Sequence, residues 1–432
     1  MLLKSIEELE LKHSRTVSNA TEYEGSVSTR GSRDGVYDWF PMVQRFTSRF
    51  LDKIFQNEEL KKSRIILDPF MGSGNTLVAC REHGKTGYGV DISPLFWFIT
   101  HVKISDYTHA DFEEANKAIS NLRRNVSEAE VPTLSSFKRL FSRRQLHRLI
   151  ALKTIAYNLN SKASELLLFA MASELIRFSK AQRYGKGLRK KNTIESPDIK
   201  GVLRLKLLTM ERDLKTFREN SKSKCEKLFP LCGDARELDN VINPLSGERE
   251  IISAGQVDSV ITSPPYCNSA DYIEMYKLEH WFLEYVKSYE EFKKMSYSTI
   301  RSHTTLKNEN VEWRHFVVEE ICSFLEKNQN LWNPKIPIMI RAYFDDLHRS
   351  LGQVKRVLRP CGQVFLLVGN SSYGGIPIPT DLLLAEAAES QGFDILNIRK
   401  IRRLTTSVQQ WKLMDSENKR FLRESILTLK SN

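Results

Sequence analysis

The chain has 432 residues, of which 41% are hydrophobic and 27% are charged. This length and balance are typical of two or three globular units in water, and they argue against a disordered chain, a collagen-like chain and a membrane protein. The longest apolar run, from Pro94 to Ile99, is far shorter than the roughly 20 residues that cross a bilayer, and the N-terminus lacks an apolar signal segment. We therefore expect a cytoplasmic protein.

The cysteines and the charge narrow the class further. Six cysteines show neither a paired nor a regular spacing, so the sequence predicts no disulfide framework and no metal site. The formal net charge is +12, and residues 131–230 alone carry 23 Lys or Arg against 8 Asp or Glu. A positive segment beside a near-neutral remainder is typical of a surface that binds phosphates, although a solvated helical face would give the same composition.

The first part of the chain predicts an arm and then a parallel α/β unit. Residues 1–34 are polar and rich in Ser, Thr, Arg and Gly, which predicts an arm without a fixed fold. From Pro41 to Phe55, apolar residues recur at three- and four-residue steps, as in an amphipathic helix. A short strand, a glycine-containing loop, a helix and a second strand follow between residues 64 and 91.

The remainder predicts a helical segment and the rest of a sheet. From about residue 106 to residue 227 the pattern is helical, apart from a basic loop at 180–191 that contains glycine. The sheet continues in strands at 257–262 and 363–368, a helix at 379–392, and two antiparallel strands at 393–401 and 424–429.

The loop from Asp68 to Thr76 has the composition of a nucleotide-binding site. An acid ends the strand, Gly72 and Gly74 allow backbone to approach a ligand closely, and a helix begins directly afterwards. Asp91 ends the next strand, where an acid accepts hydrogen bonds from ribose hydroxyls. The loop lacks the lysine of a phosphate-gripping Walker loop. A simple glycine-rich turn, and an Asp91 that caps the turn at Ser93, remain the alternatives.

The segment from Thr262 to Tyr266 forms a second candidate site. Two prolines fix φ, so they hold the Ser263 hydroxyl and the preceding carbonyl in set directions, while Tyr266 offers a flat apolar face. Such a tip suits a planar group with an exocyclic amine: the two oxygens accept the amine hydrogens and the ring stacks on the tyrosine. A rigid turn without chemistry is the alternative, and the glycine loop favours the functional interpretation.

With these two motifs, the chain resembles the amino-methyltransferases that use S-adenosylmethionine to methylate exocyclic amines of DNA bases. Residues 68–76, Asp-Pro-Phe-Met-Gly-Ser-Gly-Asn-Thr, are similar to their cofactor motif, and residues 262–266, Thr-Ser-Pro-Pro-Tyr, to their catalytic motif. The form that begins with Ser is most often associated with N4 of cytosine. The resemblance covers roughly residues 35–104 and 229–432, although many relatives with this form carry the two motifs in the opposite order.

The resemblance implies an α/β fold with a Rossmann-like, seven-stranded methyltransferase sheet. This sheet is expected to be mostly parallel with a C-terminal antiparallel hairpin, and an inserted helical domain accompanies it. The implied organisation is a polar N-terminal arm (1–34), the first part of the core with the cofactor site (35–105), a basic helical insertion for target recognition (106–228), and the second part of the core with the catalytic loop (229–432).

Three sets of site residues follow from the motifs and the resemblance. The expected cofactor-binding residues are Trp39, Phe40, Pro41, Asp68, Pro69, Phe70, Gly72, Gly74, Asn75, Thr76, Asp91, Ile92, Asp234 and Ala235. The expected catalytic residues are Ser263, Pro264, Pro265 and Tyr266. The expected nucleic-acid contacts in the basic loop are Arg183, Tyr184, Lys186, Arg189, Lys190 and Lys191. An ordinary Asx turn at Asp234 and a packed surface aromatic at Tyr184 remain alternatives.

The expected function is site-specific methylation of a flipped base in double-stranded DNA, with N4 of cytosine as the preferred target. The setting would be a bacterial modification or restriction–modification system, with a cognate restriction endonuclease as a separate protein and no membrane partner. The alternatives are N6 of adenine, N2 of guanine in structured RNA, a glutamine amide in protein, and a silent DNA-binding subunit. Carbon methylation is not expected, because Cys361 falls in a turn.

Overall fold

A computed structural model gives the structure of the chain and describes residues 2–23, 34–42, 45–123, 135–184, 187–191, 197–221, 227–268, 270–305, 310–328, 331–405 and 408–432. The strands, in chain order, are β1 (Val17–Asn19), β2 (Ile65–Asp68), β3 (Thr86–Asp91), β4 (Ala181–Tyr184), β5 (Gly187–Lys190), β6 (Leu228–Cys232), β7 (Val241–Ile242), β8 (Arg249–Glu250), β9 (Val257–Thr262), β10 (Leu358–Gly369), β11 (Ser371–Tyr373), β12 (Ile376–Ile378), β13 (Phe393–Arg403) and β14 (Arg423–Ser431).

The helices are α1 (Leu2–Lys12), α2 (Ser48–Phe55), α3 (Glu58–Lys62), α4 (Asn75–Glu82), α5 (Pro94–Ile104), α6 (His109–Asn121), α7 (Ser135–Lys138), α8 (Arg143–Ala156), α9 (Ser161–Phe178), α10 (Ile199–Asn220), α11 (Tyr272–Met275), α12 (Lys277–Phe282), α13 (Tyr289–Ser298), α14 (Phe316–Glu326), α15 (Ile336–Val357), α16 (Thr380–Ser390) and α17 (Val408–Leu413). Short 3-10 turns lie at Thr21–Tyr23, Gly35–Asp38 and Asn418–Phe421. None of these described helices is both long enough and apolar enough to span a bilayer.

Within the described residues, ten strands form one sheet in the order β1-β13-β14-β10-β9-β2-β3-β6-β7-β8. The strands from β10 to β6 pair in parallel, and β14 runs antiparallel between β10 and β13. The predicted seven-stranded, mostly parallel sheet with an antiparallel C-terminal hairpin is therefore confirmed. Three short strands extend it, with β1 beyond β13 and the pair β7–β8 beyond β6.

Helices cover both faces of the sheet because successive strand residues point to opposite sides. On β2, Ile66 packs into a cluster with α2, α4 and α5, whereas Leu67 packs into a second cluster with α1, α14, α15 and α16. The strand β9 divides in the same way at Val260 and Ile261. The result is a three-layer α/β unit with two hydrophobic cores.

The inserted helices α6 to α10 join the first of these cores. Helix α9 is the centre of the insertion, since it contacts α6, α8 and α10 within the insertion and α5 and α12 of the main unit. Its side chains from Leu166 to Ala172 are buried. The insertion is consequently built onto one face of the sheet and does not form a separate hydrophobic core.

The N-terminal arm and the first predicted helix differ from the expectation. Helix α1 buries Ile6 and Leu9 against α14, and β1 pairs in parallel with β13, so much of the polar arm has a fixed fold. The helix expected from Pro41 begins only at residue 48. Thr47 caps it, because the Thr47 side chain accepts a hydrogen bond from the Phe50 amide at 3.1 Å.

The basic loop at 180–191 also differs from the expectation. Its described residues form an antiparallel hairpin, in which Ala181 pairs with Lys190 and Tyr184 with Gly187. Backbone bonds from Lys180 to Leu140 and from Lys191 to Lys180 tie its base to the helices. Ala181 is buried and anchors β4 by apolar contacts. The basic residues around it gave no sign of a strand in the sequence.

Candidate active site

The two sequence motifs meet at the carboxyl edge of the sheet, where the strand order reverses. The chain continues from β2 to β3 on one side, and from β9 to β10 on the other, so the crevice between β2 and β9 is the topological switch point. Asp68 ends β2 and Thr262 ends β9. The Thr262 hydroxyl donates to Asp68 Oδ1 at 2.7 Å, so a direct hydrogen bond joins two motifs that are 194 residues apart.

A cleft of about 1030 Å³, counting space that opens to solvent, lies above this edge. Its lining contains most of the predicted site residues, namely Asp68, Pro69, Phe70, Gly72, Asn75, Asp91, Ile92, Asp234, Ala235, Ser263, Pro264, Pro265 and Tyr266. Five predicted residues, Trp39, Phe40, Pro41, Gly74 and Thr76, are not part of this lining.

Asp68 is the buried centre of the cofactor loop. Its side chain is 1% exposed and accepts hydrogen bonds from the Thr76 hydroxyl at 2.6 Å and the Phe70 amide at 3.1 Å, besides the bond from Thr262. Burial raises the pKa of Asp68 to about 6, although these hydrogen bonds oppose the shift. Thr76 therefore supports the site by holding Asp68.

Asp91 links the cofactor loop to the second strand. One carboxylate oxygen accepts from the Gly72 amide at 3.0 Å and the other from the Ser93 amide at 2.9 Å. The bond to Ser93 is the turn cap that the sequence left open as an alternative. A carboxylate oxygen has two lone pairs, so both oxygens of Asp91 keep capacity for a ligand hydroxyl. Burial raises the pKa of Asp91 to about 7.

The two glycines of the loop serve different contacts. Both have a left-handed backbone, with φ of 49° at Gly72 and 75° at Gly74. A Cβ at Gly72 would lie 2.8 Å from the Met42 side chain, at the wall of the cleft. A Cβ at Gly74 would lie 2.4 Å from Thr100 on α5. Gly74 is therefore needed for helix packing, and the expectation that it faces the ligand is not met.

A buried lysine, which the sequence analysis did not single out, holds the cofactor loop in place by hydrogen bonds. Lys103 is 1% exposed, and its ammonium donates to the Ser73 carbonyl at 2.9 Å, to the Tyr37 carbonyl at 3.3 Å and to the Asn75 side chain. Asn75 in turn donates to the Phe46 carbonyl at 2.6 Å. Burial lowers the pKa of Lys103 well below its usual value. This lysine interrupts an apolar helix, which is the signal that marks it in the sequence.

Asp234 lies in the predicted position beside the cleft and also forms a tight turn. Its carboxylate accepts from the Arg236 amide at 2.9 Å and from the Arg236 guanidinium at distances of 2.6 to 3.0 Å. The Asx turn left open by the sequence is thus present. Arg236 also donates to the Ser298 carbonyl at 2.7 Å, which brings the segment after α13 to the wall of the cleft.

The tip of the second motif is held by the C-terminal strands. Pro264 is buried and Tyr266 is 8% exposed. The Tyr266 hydroxyl donates to Glu424 on β14 at 2.8 Å, and Glu424 accepts from Arg402 on β13 at 2.6 Å. The Tyr266 ring lies so close to Gly369 that a Cβ there would be 2.6 Å from the ring. Burial, together with Glu424, raises the pKa of Tyr266 well above its usual value, so the phenol stays protonated.

The residues that line the cleft beside the N-terminal segment come slightly later in the sequence than the predicted Trp39, Phe40 and Pro41. Trp39 and Phe40 are fully buried against Phe169 of α9, which makes them part of the hydrophobic core. Pro41 lies next to this core, and its carbonyl accepts a hydrogen bond from the Tyr276 hydroxyl at 3.4 Å. The cleft is lined instead by the next residues, Met42, Arg45 and Phe46. Packing against the insertion turns the aromatic pair away from the cleft.

Comparisons with known proteins find similarity to DNA methyltransferases. The family model described as DNA methylase matches residues 53–99. The Type II methyltransferase M.BsoBI of Geobacillus stearothermophilus is 26% identical over 423 residues, which cover 85% of this chain and 80% of that protein. The Type II methyltransferase M.AvaI of Nostoc sp. is 25% identical over 408 residues, with coverage of 86% and 81%. These similarities support the resemblance to the DNA amino-methyltransferases that the two motifs indicated.

The matches extend beyond the two motifs. The Type II methyltransferase M.MvaI of Kocuria varians is 24% identical over 422 residues, with coverage of 87% of this chain and 85% of that protein. Similarity to DNA methyltransferases implies S-adenosylmethionine as the methyl donor, as the sequence analysis expected.

Arg183 is used for internal contacts. Its guanidinium bonds to the buried carboxylate of Glu279 and lies 4.4 Å from the centre of the Tyr276 ring. The Arg183 side chain is only 14% exposed. These contacts anchor the β4–β5 hairpin to α12, and the expectation that Arg183 follows a phosphate backbone does not fit its position.

The other residues expected to contact nucleic acid divide between anchoring and exposed positions. Lys191 donates to two backbone carbonyls at the end of α9, at 3.2 and 3.3 Å. Arg189 and Lys190 are exposed on β5. Tyr184 contributes the last residue of β4, and Lys186 lies outside the described residues. Of the six residues expected to contact nucleic acid, Arg189 and Lys190 are thus the exposed cations within the described residues.

Sequence reasoning missed a whole wall of the cleft. The segment Ser298–Ile300, with Ser302 and His303, lines the side next to Asp234. These residues lie at the end of α13 and directly after it, and they carry no motif, glycine pattern or charge cluster. Their place at the site depends on the fold of a segment that no local signal marks.

Proposed function

We propose that this DNA methyltransferase modifies N4 of cytosine in double-stranded DNA, as the modification enzyme of a bacterial restriction–modification system. A cognate restriction endonuclease, as a separate protein, belongs to this proposal. The observation that carries it is the hydrogen bond of 2.7 Å between Thr262 and Asp68, which joins the Ser-Pro-Pro-Tyr tip to the cofactor loop at one edge of the sheet. A methyl donor and an extruded base would meet at that edge.

The charged residues that line the cleft are complementary to the charged and polar groups of S-adenosylmethionine. Arg45 lines the cleft with its guanidinium paired to Asp38, and it would donate from its remaining N–H groups to the carboxylate of the methionine part. Asp91 keeps lone pairs for ribose hydroxyls, and the narrow space beside Gly72 allows backbone to approach the ligand. When bound, this cofactor supplies a methyl group on a positively charged sulfonium.

The tip supplies orientation for an amine nucleophile. The Ser263 hydroxyl and the neighbouring carbonyls would accept the amine hydrogens and stabilise the positive charge that develops on nitrogen. Tyr266 would stack on the base, and its own ring is fixed at the hydroxyl by Glu424 and at the edge by Gly369. The preference for cytosine rests on the Ser at the start of the motif.

The β4–β5 hairpin supports the proposal of duplex binding beside this cleft. Strand β5 contacts α11, and Tyr272 and Ile273 of α11 line the cleft. Arg189 and Lys190 on β5 would then contact phosphates close to the flipped base. Their replacement by Ala should weaken DNA binding at low salt and reduce the salt dependence by about one for each lost phosphate contact.

The test of the function is analysis of methylated nucleosides. The purified protein is incubated with methyl-labelled cofactor and, separately, duplex DNA, single-stranded DNA or structured RNA, and the digested nucleosides are separated by mass. We expect N4-methyldeoxycytidine from duplex DNA. N6-methyldeoxyadenosine would move the proposal to adenine, and label in RNA or in protein alone would overturn it.

Two variants separate the chemical step from cofactor binding. Ser263→Ala should lower the methylation rate at saturating cofactor while cofactor affinity stays within about twofold, because the hydroxyl faces the amine and not the donor. Ser259→Ala is the matched control: Ser259 lies on β9, the strand that leads to Ser263, outside the cleft, and bonds to Ser63 at 2.8 Å. Equal activity of the two variants would contradict the catalytic role.

A further inference from the structure

Strand β13 ends beside the catalytic tip with two exposed arginines. Its carboxyl end lies at the same edge of the sheet as the tip, because β13 runs parallel to β10 with the antiparallel strand β14 between them. Arg402 and Arg403 are the last residues of β13, and both are exposed. Neighbouring strands are about 4.8 Å apart, so the end of β13 is roughly 10 Å, or about three nucleotide steps, from the end of β10. A duplex whose base enters the cleft would pass close to these arginines.

The register of the sheet connects Arg402 to the tip. Arg402 on β13 pairs with Glu424 on β14, and Glu424 pairs with Gly369 on β10, so the three residues form one row across the sheet. Arg402 Nε donates to Glu424 at 2.6 Å, and the other carboxylate oxygen of Glu424 accepts from the Tyr266 hydroxyl at 2.8 Å. Two hydrogen bonds in series therefore join an arginine at the surface to the ring on which the base is expected to stack.

The exposure of Arg402 distinguishes this ion pair from another one in the chain. Glu424 is 3% exposed, but the Arg402 side chain is 44% exposed. In the pair between Arg183 and the equally buried Glu279, the arginine side chain is only 14% exposed. Neutralisation of a buried carboxylate therefore does not require an arginine that reaches the surface. A guanidinium has five N–H donors, and those at the end of the Arg402 side chain suit a second, anionic partner.

We propose that Arg402 binds a phosphate of the duplex with the end of its guanidinium while its Nε holds Glu424, and that this contact helps to orient the Tyr266 ring. The inference rests on the proposed function, because it needs a duplex at the cleft and a base on Tyr266. A planar guanidinium presents N–H groups along more than one edge, so it can bond to a carboxylate and to a phosphate at the same time. Arg402 is a positioning residue, since it acts on the base only through Glu424 and Tyr266.

The phosphate contact is tested by the salt dependence of DNA binding. Binding of the purified protein to a labelled duplex of mixed sequence is measured by fluorescence anisotropy between about 50 and 200 mM salt. Arg402→Gln should lower the slope of log affinity against log salt by about 0.9. Arg399→Gln is the matched control and should leave the slope unchanged: Arg399 lies earlier on β13, is 38% exposed and also pairs with a carboxylate, that of Glu22.

The link to Tyr266 is tested by the methylation rate in two backgrounds. Single-turnover rates are measured with saturating cofactor and unmethylated genomic DNA. Arg402→Gln should lower the rate about threefold, and by no more than Tyr266→Phe does, because its effect passes through the Tyr266 hydroxyl. In the Tyr266→Phe background, which lacks this hydroxyl, Arg402→Gln should lower the rate no further, although it should still lower the salt slope. An ion pair that only stabilises the fold would lower the rate equally in both backgrounds.

Two results would overturn the inference. A salt slope for Arg402→Gln equal to that of Arg399→Gln would exclude the phosphate contact. The same rate loss in both backgrounds, or no loss in either, would exclude the link to Tyr266. If Arg402→Gln does not fold because Glu424 loses its cation, the double variant with Glu424→Gln replaces the ion pair by two neutral amides, and its slope and rates decide in the same way. Failure of the proposed function is distinct, since the unmodified protein itself would then methylate no DNA.

Discussion

Replacement of Asp68 by Asn should stabilise the ligand-free protein at pH 8 while it damages the cofactor site. The carboxyl is 1% exposed, and burial raises its pKa from 3.8 to about 6. In the unfolded chain the group loses its proton near pH 4, but in the folded protein it keeps the proton until about pH 6. The free energy of unfolding therefore falls as the pH rises through this window, by about 3 kcal/mol for a shift of roughly two units.

The Asn side chain has the same shape and no charge, so it avoids that cost. The Thr262 hydroxyl and the Phe70 amide can still donate to its oxygen, and the Thr76 hydroxyl can rotate to accept from its amide nitrogen. The bonds to a neutral amide are weaker than those to a carboxylate, by about 1 kcal/mol in total. We expect a net gain of about 1–2 kcal/mol at pH 8 that falls to near zero at pH 4.5, because the unfolded carboxyl is already mostly ionised there.

Urea unfolding at several pH values between 4.5 and 8 measures this difference. The control is Asp258→Asn, which removes a negative charge at the other end of β9, where Asp258 accepts from the Arg64 and Ile65 amides. Cofactor titration of the same proteins should show weakened binding for Asp68→Asn alone. If Asp68→Asn lowered stability equally at pH 4.5 and pH 8, the desolvation of Asp68 would not be the cause of its raised pKa.

Three further substitutions address the loop and the tip. Lys103→Met should lower the free energy of unfolding by about 2–4 kcal/mol, because the Ser73 carbonyl and its neighbours lose their buried donor, and thermal unfolding checks this. Gly74→Ala should cost about 2–3 kcal/mol through its φ of 75° and the contact with Thr100, and the added change Thr100→Ala should recover only the part due to the contact. Tyr266→Ala should lower the methylation rate about 10- to 100-fold, whereas Tyr266→Phe, which keeps the stacking ring, should lower it only a few-fold; equal rates for the two would refute the stacking role.

The elements with strong local signals were predicted well. The strands β2, β3 and β9 are apolar runs that end in a polar residue, and the helix α4 follows a glycine pair, so periodicity and turn chemistry define them. The antiparallel strands β13 and β14 were predicted for the same reason. The arm at residues 1–34 was not, because α1 is stable only through contacts of Ile6 and Leu9 with helices that come 300 residues later.

The predicted site residues divide in the same way, between those fixed by local motifs and those placed by long-range packing. Asp68, Asp91 and the Ser263–Tyr266 tip line the cleft because short motifs fix their backbone at the ends of strands. Trp39 and Phe40 were placed in the site by resemblance, but packing against α9 buries them in the core. Arg183 was expected to face DNA, but a buried carboxylate from α12 draws its guanidinium inward.

The amino-acid sequence by itself determined the local shapes on which the proposed chemistry rests, because the glycine loop and the proline tip owe their shapes to dihedral preferences of neighbouring residues. Only the tertiary structure decided which side chains share the cleft. The hydrogen bond from Thr262 to Asp68, the lysine beneath the loop and the His303 wall all depend on contacts between segments far apart in the chain, and such contacts follow from the packing of the whole sheet and its helices.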